Sequence, residues 1–130
     1  MKGQKRVLLT DDNEDCLTVY RIILEHGGFE VIEARTGVEA IEQARAMQPD
    51  LILMDVSLPL LDGWAATVAL KSEASTRDIP VIALTAHALR DDRVRAREVG
   101  CQGFLPKPVS PAAVLSEVRS ILERLPAPPS

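Results

Sequence analysis

The feature that most constrains the fold is an alternation of short apolar runs with longer stretches of helical periodicity. Runs one, three and four are apolar at every position, which is typical of strands buried on both faces of a parallel sheet. The second run alternates and the fifth is very short. The five runs cover residues 7–9, 29–34, 51–54, 81–84 and 104–105.

Helical patterns occupy the intervals between these runs, at residues 17–24, 38–47, 64–70, 89–99 and 111–122. The second of them predicts an apolar stripe made of Val38, Ile41, Ala44 and Met47. Ser110 is predicted to cap the last helix, because a serine before a proline is typical of a helix start. Five β-α units in succession predict a parallel sheet with helices on both faces, joined by right-handed crossovers.

Composition narrows the class of protein. A chain of 130 residues that is 46% hydrophobic is large enough for one domain with its own core, and too apolar for a disordered tail. A net charge of −4 argues against direct nucleic-acid binding, and no apolar run reaches the length of a membrane span. The N-terminus lacks a signal-peptide core, and Cys16 and Cys101 fit no zinc or redox spacing. We expect a cytoplasmic protein.

Chemically useful side chains follow four of the five runs. Ligands of such sheets bind outside the carboxyl ends of the strands, so these side chains are expected to converge there. Three carboxylates, one hydroxyl and one ammonium would then share one edge of the sheet. The segments are Thr10-Asp11-Asp12, Asp55, Thr85-Ala86 and Pro106-Lys107-Pro108.

This set of groups predicts a phosphoryl and metal site. Clustered carboxylates repel one another, and Mg²⁺, which prefers oxygen ligands, relieves the repulsion. A carboxylate can also act as a nucleophile toward phosphorus, with a lysine and hydroxyl or amide donors stabilising the developing charge. Each group alone has an ordinary structural explanation, such as a helix cap, a turn or a solvated lysine. Together, at the ends of four strands, they indicate a functional site.

The chain resembles the receiver domain of response regulators. The resemblance rests on four blocks in order, VLLTDDNED, LILMDVSLPLLDGW, VIALTAHA and GFLPKPV, and extends from Arg6 to about Leu125. It implies a flavodoxin-like (βα)5 fold with strand order 2-1-3-4-5. It also implies a receiver domain at residues 1–125. The tail at residues 126–130 is rich in proline, cannot continue a helix and is expected to be frayed.

The resemblance implies a role for each site residue. Asp55 would accept a phosphoryl group from a histidine kinase or a histidine phosphotransfer protein. Mg²⁺ would be bound directly by Asp12 and Asp55, mainly through water by Asp11, and by the backbone carbonyl of Ser57. Lys107 would pair with the phosphoryl group.

The remaining implied roles concern signalling. Thr85 and the Ala86 amide would bond phosphoryl oxygens, and the Lys107-Pro108 bond would be cis. Phe104 would turn inward as Thr85 moves, which alters a surface formed by the fourth helix, fifth strand and fifth helix for a downstream protein. The protein would be no enzyme in its own right, although it would catalyse its own aspartyl phosphorylation and dephosphorylation.

Small departures from the family pattern and several alternatives remain. Thr10 replaces an apolar residue, Phe104 replaces a common tyrosine, and Ser57 and His87 occupy variable positions that tune phosphoryl lifetime. A flavin carrier would need a glycine- or serine-rich first loop, and an aspartate-nucleophile phosphatase would place its nucleophile after the first strand. Whether the chain acts alone or is the receiver of a hybrid histidine kinase stays open, with the Met1 start slightly favouring the first.

Overall fold

The computed structural model describes residues 4–56, 62–85, 90–107 and 109–124. Strands and helices alternate along the chain as the sequence predicts, with each apolar run forming a strand of four or five residues. The elements are β1 (Arg6–Thr10), α1 (Glu14–His26), β2 (Glu30–Ala34), α2 (Gly37–Met47), β3 (Leu51–Asp55), α3 (Gly63–Ser72), β4 (Val81–Thr85), α4 (Arg90–Val99), β5 (Gly103–Pro106) and α5 (Pro111–Arg124).

The five strands form one parallel sheet in the order β2-β1-β3-β4-β5. This confirms the predicted fold and strand order. The central strands β3 and β4 are buried at every residue, and β1 at every residue after Arg6. β2 lies at an edge, and it carries the exposed Glu30 and only partly buried side chains until Ala34. The burial of the central strands explains why their sequences are uninterrupted apolar runs.

Helices cover both faces of the sheet. On one face, α1 and α5 bury Leu17, Leu24, Val114 and Val118 against the apolar side chains of the strands. On the other face, α2 and α3 enclose a second core. A third and smaller cluster lies beneath α4, and it contains Val56, Trp64, Ala83 and Ala96, with Val99, Cys101 and Phe104 packed against it.

Helix ends are fixed by local hydrogen bonds. The Asn13 side chain accepts a hydrogen bond from the Cys16 amide and so caps α1, which Gly27 ends. The Ser110 hydroxyl accepts from the Ala113 amide at 3.1 Å, which confirms the predicted cap of α5. No helix of the described ranges is both long and apolar enough to cross a bilayer.

The predicted apolar stripe of α2 is wrong in part. Val38 is 54% exposed, whereas the buried residues of this helix are Gly37, Ala40 and Ala44. A spacing of three residues drifts by about 60° around a helix at each step, so Val38 and Ala44 cannot share one face. The proline-rich tail at residues 126–130 lies outside the described residues.

Candidate functional site

Three carboxylates meet at the carboxyl edge of the sheet. Asp11 follows β1 and Asp55 ends β3, which is the neighbour of β1. Carboxylate oxygens of Asp11, Asp12 and Asp55 lie within 4.8 Å of one another. Asp11 and Asp55 are buried, whereas Asp12 is exposed. The three carboxylates therefore converge at this edge, as the sequence predicts.

Backbone hydrogen bonds hold the strand ends in place around this cluster. The Asp11 amide donates to the Ala34 carbonyl at 3.1 Å, which ties the end of β1 to β2. The Val56 amide donates to the Leu84 carbonyl at 3.0 Å and fixes the residue after Asp55 against β4. These bonds extend the ladder past the last strand residues, so the backbone at Asp11 and directly after Asp55 is held by the neighbouring strands.

Lys107 reaches the cluster from the end of β5. Its ammonium donates to Asp11 Oδ2 at 2.9 Å and lies 3.5 Å from Asp55 Oδ2. Its amide donates to the Thr85 carbonyl at 2.7 Å, which anchors the residue to β4. Burial on its own lowers the pKa of Lys107, but the hydrogen bond to Asp11 and the charge of Asp55 outweigh burial and raise that pKa. The ammonium is therefore charged at neutral pH.

Asp11 has a hydrogen bond on each carboxylate oxygen. Oδ1 accepts from the Asn13 amide at 3.0 Å, and Oδ2 accepts from Lys107. Burial raises the pKa of Asp11, the two hydrogen bonds counteract this in part, and the negative charge of Asp55 adds to the rise. Asp11 is thus oriented by its neighbours before any ligand binds.

The donor set fits a hard divalent cation. Among the described residues, three carboxylates lie near one ammonium, so this part of the site carries excess negative charge, and each ligand atom that the three aspartates offer is an oxygen. Mg²⁺ is held in proteins by one or two carboxylates together with water and phosphate oxygens. The partly open arrangement, with two buried carboxylates and one exposed, matches that environment.

The structure describes Thr85 and Phe104 among the other predicted site residues, whereas further predictions fall outside the described ranges. Thr85 ends β4, is buried, and pairs in register with Pro106, directly before Lys107. Phe104 lies on β5, partly buried, with the Arg93 guanidinium 4.7 Å from its ring centroid. The predictions for Ser57, Ala86, His87 and the Lys107-Pro108 bond fall on or involve residues outside the described ranges.

Two residues that position the site escaped the sequence-based prediction. Asn13 both caps α1 and orients Asp11, and its place before Glu14-Asp15 is a helix-start signal that could have revealed it. Gly63 begins α3 so close to β3 that an added Cβ would lie 2.3 Å from the Asp55 carbonyl oxygen. Only the packing of α3 against the strand shows that this position requires glycine.

Comparison with known proteins places these features in a family. The family model of the response regulator receiver domain matches residues 7–119. The chain is 41% identical over 118 residues to the polar-differentiation response regulator DivK of Brucella ovis, which covers 91% of this chain and 96% of DivK. DivK of Brucella anthropi is equally similar.

Solved structures give the same picture. The receiver domain of the sensor histidine kinase PA1611 from Pseudomonas aeruginosa is 37% identical, with a TM-score of 0.81, over 95% of this chain and 97% of that domain. That structure is described with a magnesium ion coordinated in its active site cleft. The chemotaxis protein CheY4 of Vibrio cholerae is 26% identical, with a TM-score of 0.87, over 92% of this chain and 99% of CheY4.

Proposed function

The chain belongs to the response regulator receiver domain family, and we propose that it is a signalling switch in which Asp55 accepts a phosphoryl group from a phosphohistidine. One observation carries this proposal: the buried Asp55 carboxylate lies 3.5 Å from a charged lysine and beside two further carboxylates. This arrangement supports a nucleophilic role for Asp55, with Lys107 as the charged donor and the two further carboxylates as part of a cation site.

The chemistry follows from this arrangement. A carboxylate oxygen of Asp55 attacks phosphorus, a new P–O bond forms, and the P–N bond to the donor imidazole breaks with the electron pair returning to nitrogen. The Lys107 ammonium, held at the site by Asp11, is placed to pair with a phosphoryl oxygen. Bound Mg²⁺ would supply neutralisation of the charge on the phosphoryl group and the carboxylates.

The hydrogen bonds of Asp11 suggest which carboxylates would contact Mg²⁺ directly and which through a water molecule. Asn13 and Lys107 already engage both of its oxygens, which favours contact with Mg²⁺ through a bound water. Asp12 is exposed and Asp55 adjoins it, so these two are the proposed direct carboxylate ligands. The Ser57 carbonyl is proposed as a further ligand.

Signal output is proposed to run through Thr85 and Phe104. The Thr85 hydroxyl and the Ala86 amide would bond the phosphoryl group, and Phe104 would turn inward as Thr85 moves. The altered surface would consist of α4, β5 and α5, and a downstream protein would read it. Such a switch needs a two-state element and differential contacts with the phosphoryl group.

Labelling with acetyl phosphate tests the proposal. Intact mass should increase by one phosphoryl group in the presence of Mg²⁺, and not when the metal is chelated. Asp55→Ala should stay unlabelled, whereas the control Asp78→Asn, which removes an exposed carboxylate between α3 and β4, should be labelled like wild type. Labelling of Asp55→Ala at the wild-type level would place the acceptor elsewhere.

The partners and the context of the chain are also proposals. The donor would be a histidine kinase or a histidine phosphotransfer protein, in the cytoplasm, and the chain would hydrolyse its own aspartyl phosphate without acting on external substrates. A phosphatase is the weaker candidate, because Asp55 stands at the end of β3 and such enzymes would carry their nucleophile after β1.

A receiver within a hybrid kinase is the second candidate. The similarity to the PA1611 receiver favours it, and the similarity to DivK favours a regulator that acts alone. The open reading frame around the coding sequence distinguishes the two.

A further inference from the structure

Helix α4 is attached to the rest of the chain in an unusual way. Among its side chains that the structure describes, Ala96 is the one that is buried, while Val94 is 46% exposed. By contrast, α1 buries four large side chains and α5 buries Val114, Val118 and Ile121. Burial of apolar area is the main force that holds a helix to a sheet, and alanine supplies little of it. Together with the partly buried Val99, Ala96 supplies only a small apolar contact, which leaves a larger share of the placement of α4 to other contacts of its described side chains.

Two arginines of α4 supply the missing contacts. The Arg93 guanidinium lies 4.7 Å from the ring centroid of Phe104 on β5, and the Arg95 guanidinium lies 5.2 Å from the ring centroid of Trp64 on α3. Both distances fall within the range of cation–π attraction. The contacts reach two different neighbours of α4, so together they hold the helix on two sides.

Both rings belong to the apolar cluster beneath α4. Trp64 is buried there with Val56, Ala83 and Ala96, and Phe104 packs against the same cluster. Val56 directly follows Asp55, so the cluster joins the end of β3 to the underside of α4.

We propose that α4 is a displaceable element, clamped over this cluster by the stacking of Arg93 on Phe104 and of Arg95 on Trp64. In the clamp, two exposed arginines stack on a buried and a partly buried ring, and these contacts require neither metal nor phosphoryl group. The strength of the clamp determines how often α4 separates from the cluster, because a segment held by few contacts has a low free energy of local opening. The clamp is thus a property of the resting protein, beyond the proposed phosphorylation chemistry.

Amide hydrogen exchange of the metal-free protein tests the clamp. Arg93→Gln and Arg95→Gln keep a similar helix propensity but lose the ring contact. Each should speed the exchange of amides 94–99 roughly two- to fivefold, which corresponds to the range of exposed cation–π contacts. Amides of α1 and α5 should exchange at wild-type rates.

Arg97→Gln is the matched control. Arg97 lies on the same helix and carries the same charge, but in the described part of the chain it is stacked on no ring. An increase in Arg97→Gln as large as in the other two variants would show that charge alone matters and would overturn the proposal. Unchanged exchange in both Arg93→Gln and Arg95→Gln would overturn it as well.

Fluorescence gives a second readout, since Trp64 is the chain's one tryptophan. Its emission should change in Arg95→Gln and stay as in wild type in Arg97→Gln. Identical emission in all three proteins would contradict the contact between Arg95 and the indole.

A link between the clamp and the site rests on the proposed function and has its own test. Addition of Mg²⁺ with beryllofluoride, an analogue of the phosphoryl group, should speed the exchange of amides 94–99 in the wild-type protein. The increase should be smaller in the Arg93→Gln, Arg95→Gln double variant, in which both ring contacts are already absent. Unchanged exchange of these amides in the wild-type protein would refute the link to Asp55. The clamp itself is tested by the metal-free measurements alone.

Discussion

Thr10 offers the sharpest test of the energetics of the fold. Its side chain is completely buried at the end of β1, and its hydroxyl has no hydrogen-bond partner among the residues that the structure describes. Its neighbours in register, Ala34 on β2 and Met54 on β3, are apolar and equally buried. The position is one where an apolar side chain would be expected, as the resemblance to receiver domains also implies.

Replacement of this threonine by valine should therefore stabilise the protein. Valine has nearly the same shape and an equally high strand propensity, so the main change is removal of an unsatisfied buried hydroxyl. Such a group costs about 1–3 kcal/mol. We expect Thr10→Val to raise the free energy of unfolding by about 1–2 kcal/mol, and the melting temperature by about 3–8 °C for a domain of this size.

Urea unfolding and thermal unfolding of the metal-free protein measure this change. The matched control is Thr76→Val, because the Thr76 hydroxyl is also buried but donates to the Leu70 carbonyl at 2.6 Å. That substitution should lower the free energy of unfolding by about 1 kcal/mol, since it removes a satisfied hydrogen bond. If Thr10→Val is no more stable than wild type, or both variants change in the same direction, the reasoning about an unsatisfied hydroxyl is wrong.

Three further predictions concern metal binding, signalling and pH. Mg²⁺ should raise the melting temperature of the wild-type protein, and Asp12→Asn should abolish this rise while leaving the metal-free protein folded; an unchanged rise would contradict direct ligation. Thr85→Ala should still be phosphorylated but should lose the amide chemical-shift changes around Phe104 on addition of Mg²⁺ and beryllofluoride. The variant lacks the hydrogen bond proposed from the Thr85 hydroxyl to the phosphoryl group, and a bond to a charged group is worth about 1.5–3 kcal/mol. The full wild-type pattern of shift changes in the variant would refute the relay. Burial raises the pKa of the Cys101 thiol to about 11, so iodoacetamide at pH 8 should modify it about 100-fold more slowly than a free thiol. Because this pKa is higher in the folded state, the protonated thiol contributes stability that is present below about pH 9 and is lost as the pH rises toward 11. Labelling of Cys101 at the free-thiol rate would contradict the raised pKa.

Much of the fold was predictable because its central strands are buried on both faces. An uninterrupted run such as residues 51–54 can be satisfied in few ways, and the helical patterns between the runs leave a parallel sheet as the natural solution. The strand order came from the family resemblance. The error at Val38 arose because α2 buries small residues, Ala40 and Ala44, whose pattern is weaker than that of large apolar side chains.

The site was predictable to the extent that topology alone determines it. Lys107 and Asp11 are 96 positions apart, yet the rule that ligands bind at the carboxyl ends of parallel strands brings them together. The close approach of Gly63 to β3 and the stacking of Arg93 on Phe104 depend on how helices settle on the sheet. No local pattern encodes these distances, so only the three-dimensional structure reveals them.

The central claim is that Asp55 is the phosphoryl acceptor of the acidic cluster. Reduction of the phosphorylated protein with borohydride converts an aspartyl phosphate to homoserine, and peptide mass spectrometry then locates the modified residue. We predict homoserine at position 55, dependent on Mg²⁺, with Asp11 and Asp12 unmodified. Homoserine at position 11 or 12, or modification at position 55 that is equally strong without metal, would contradict the account.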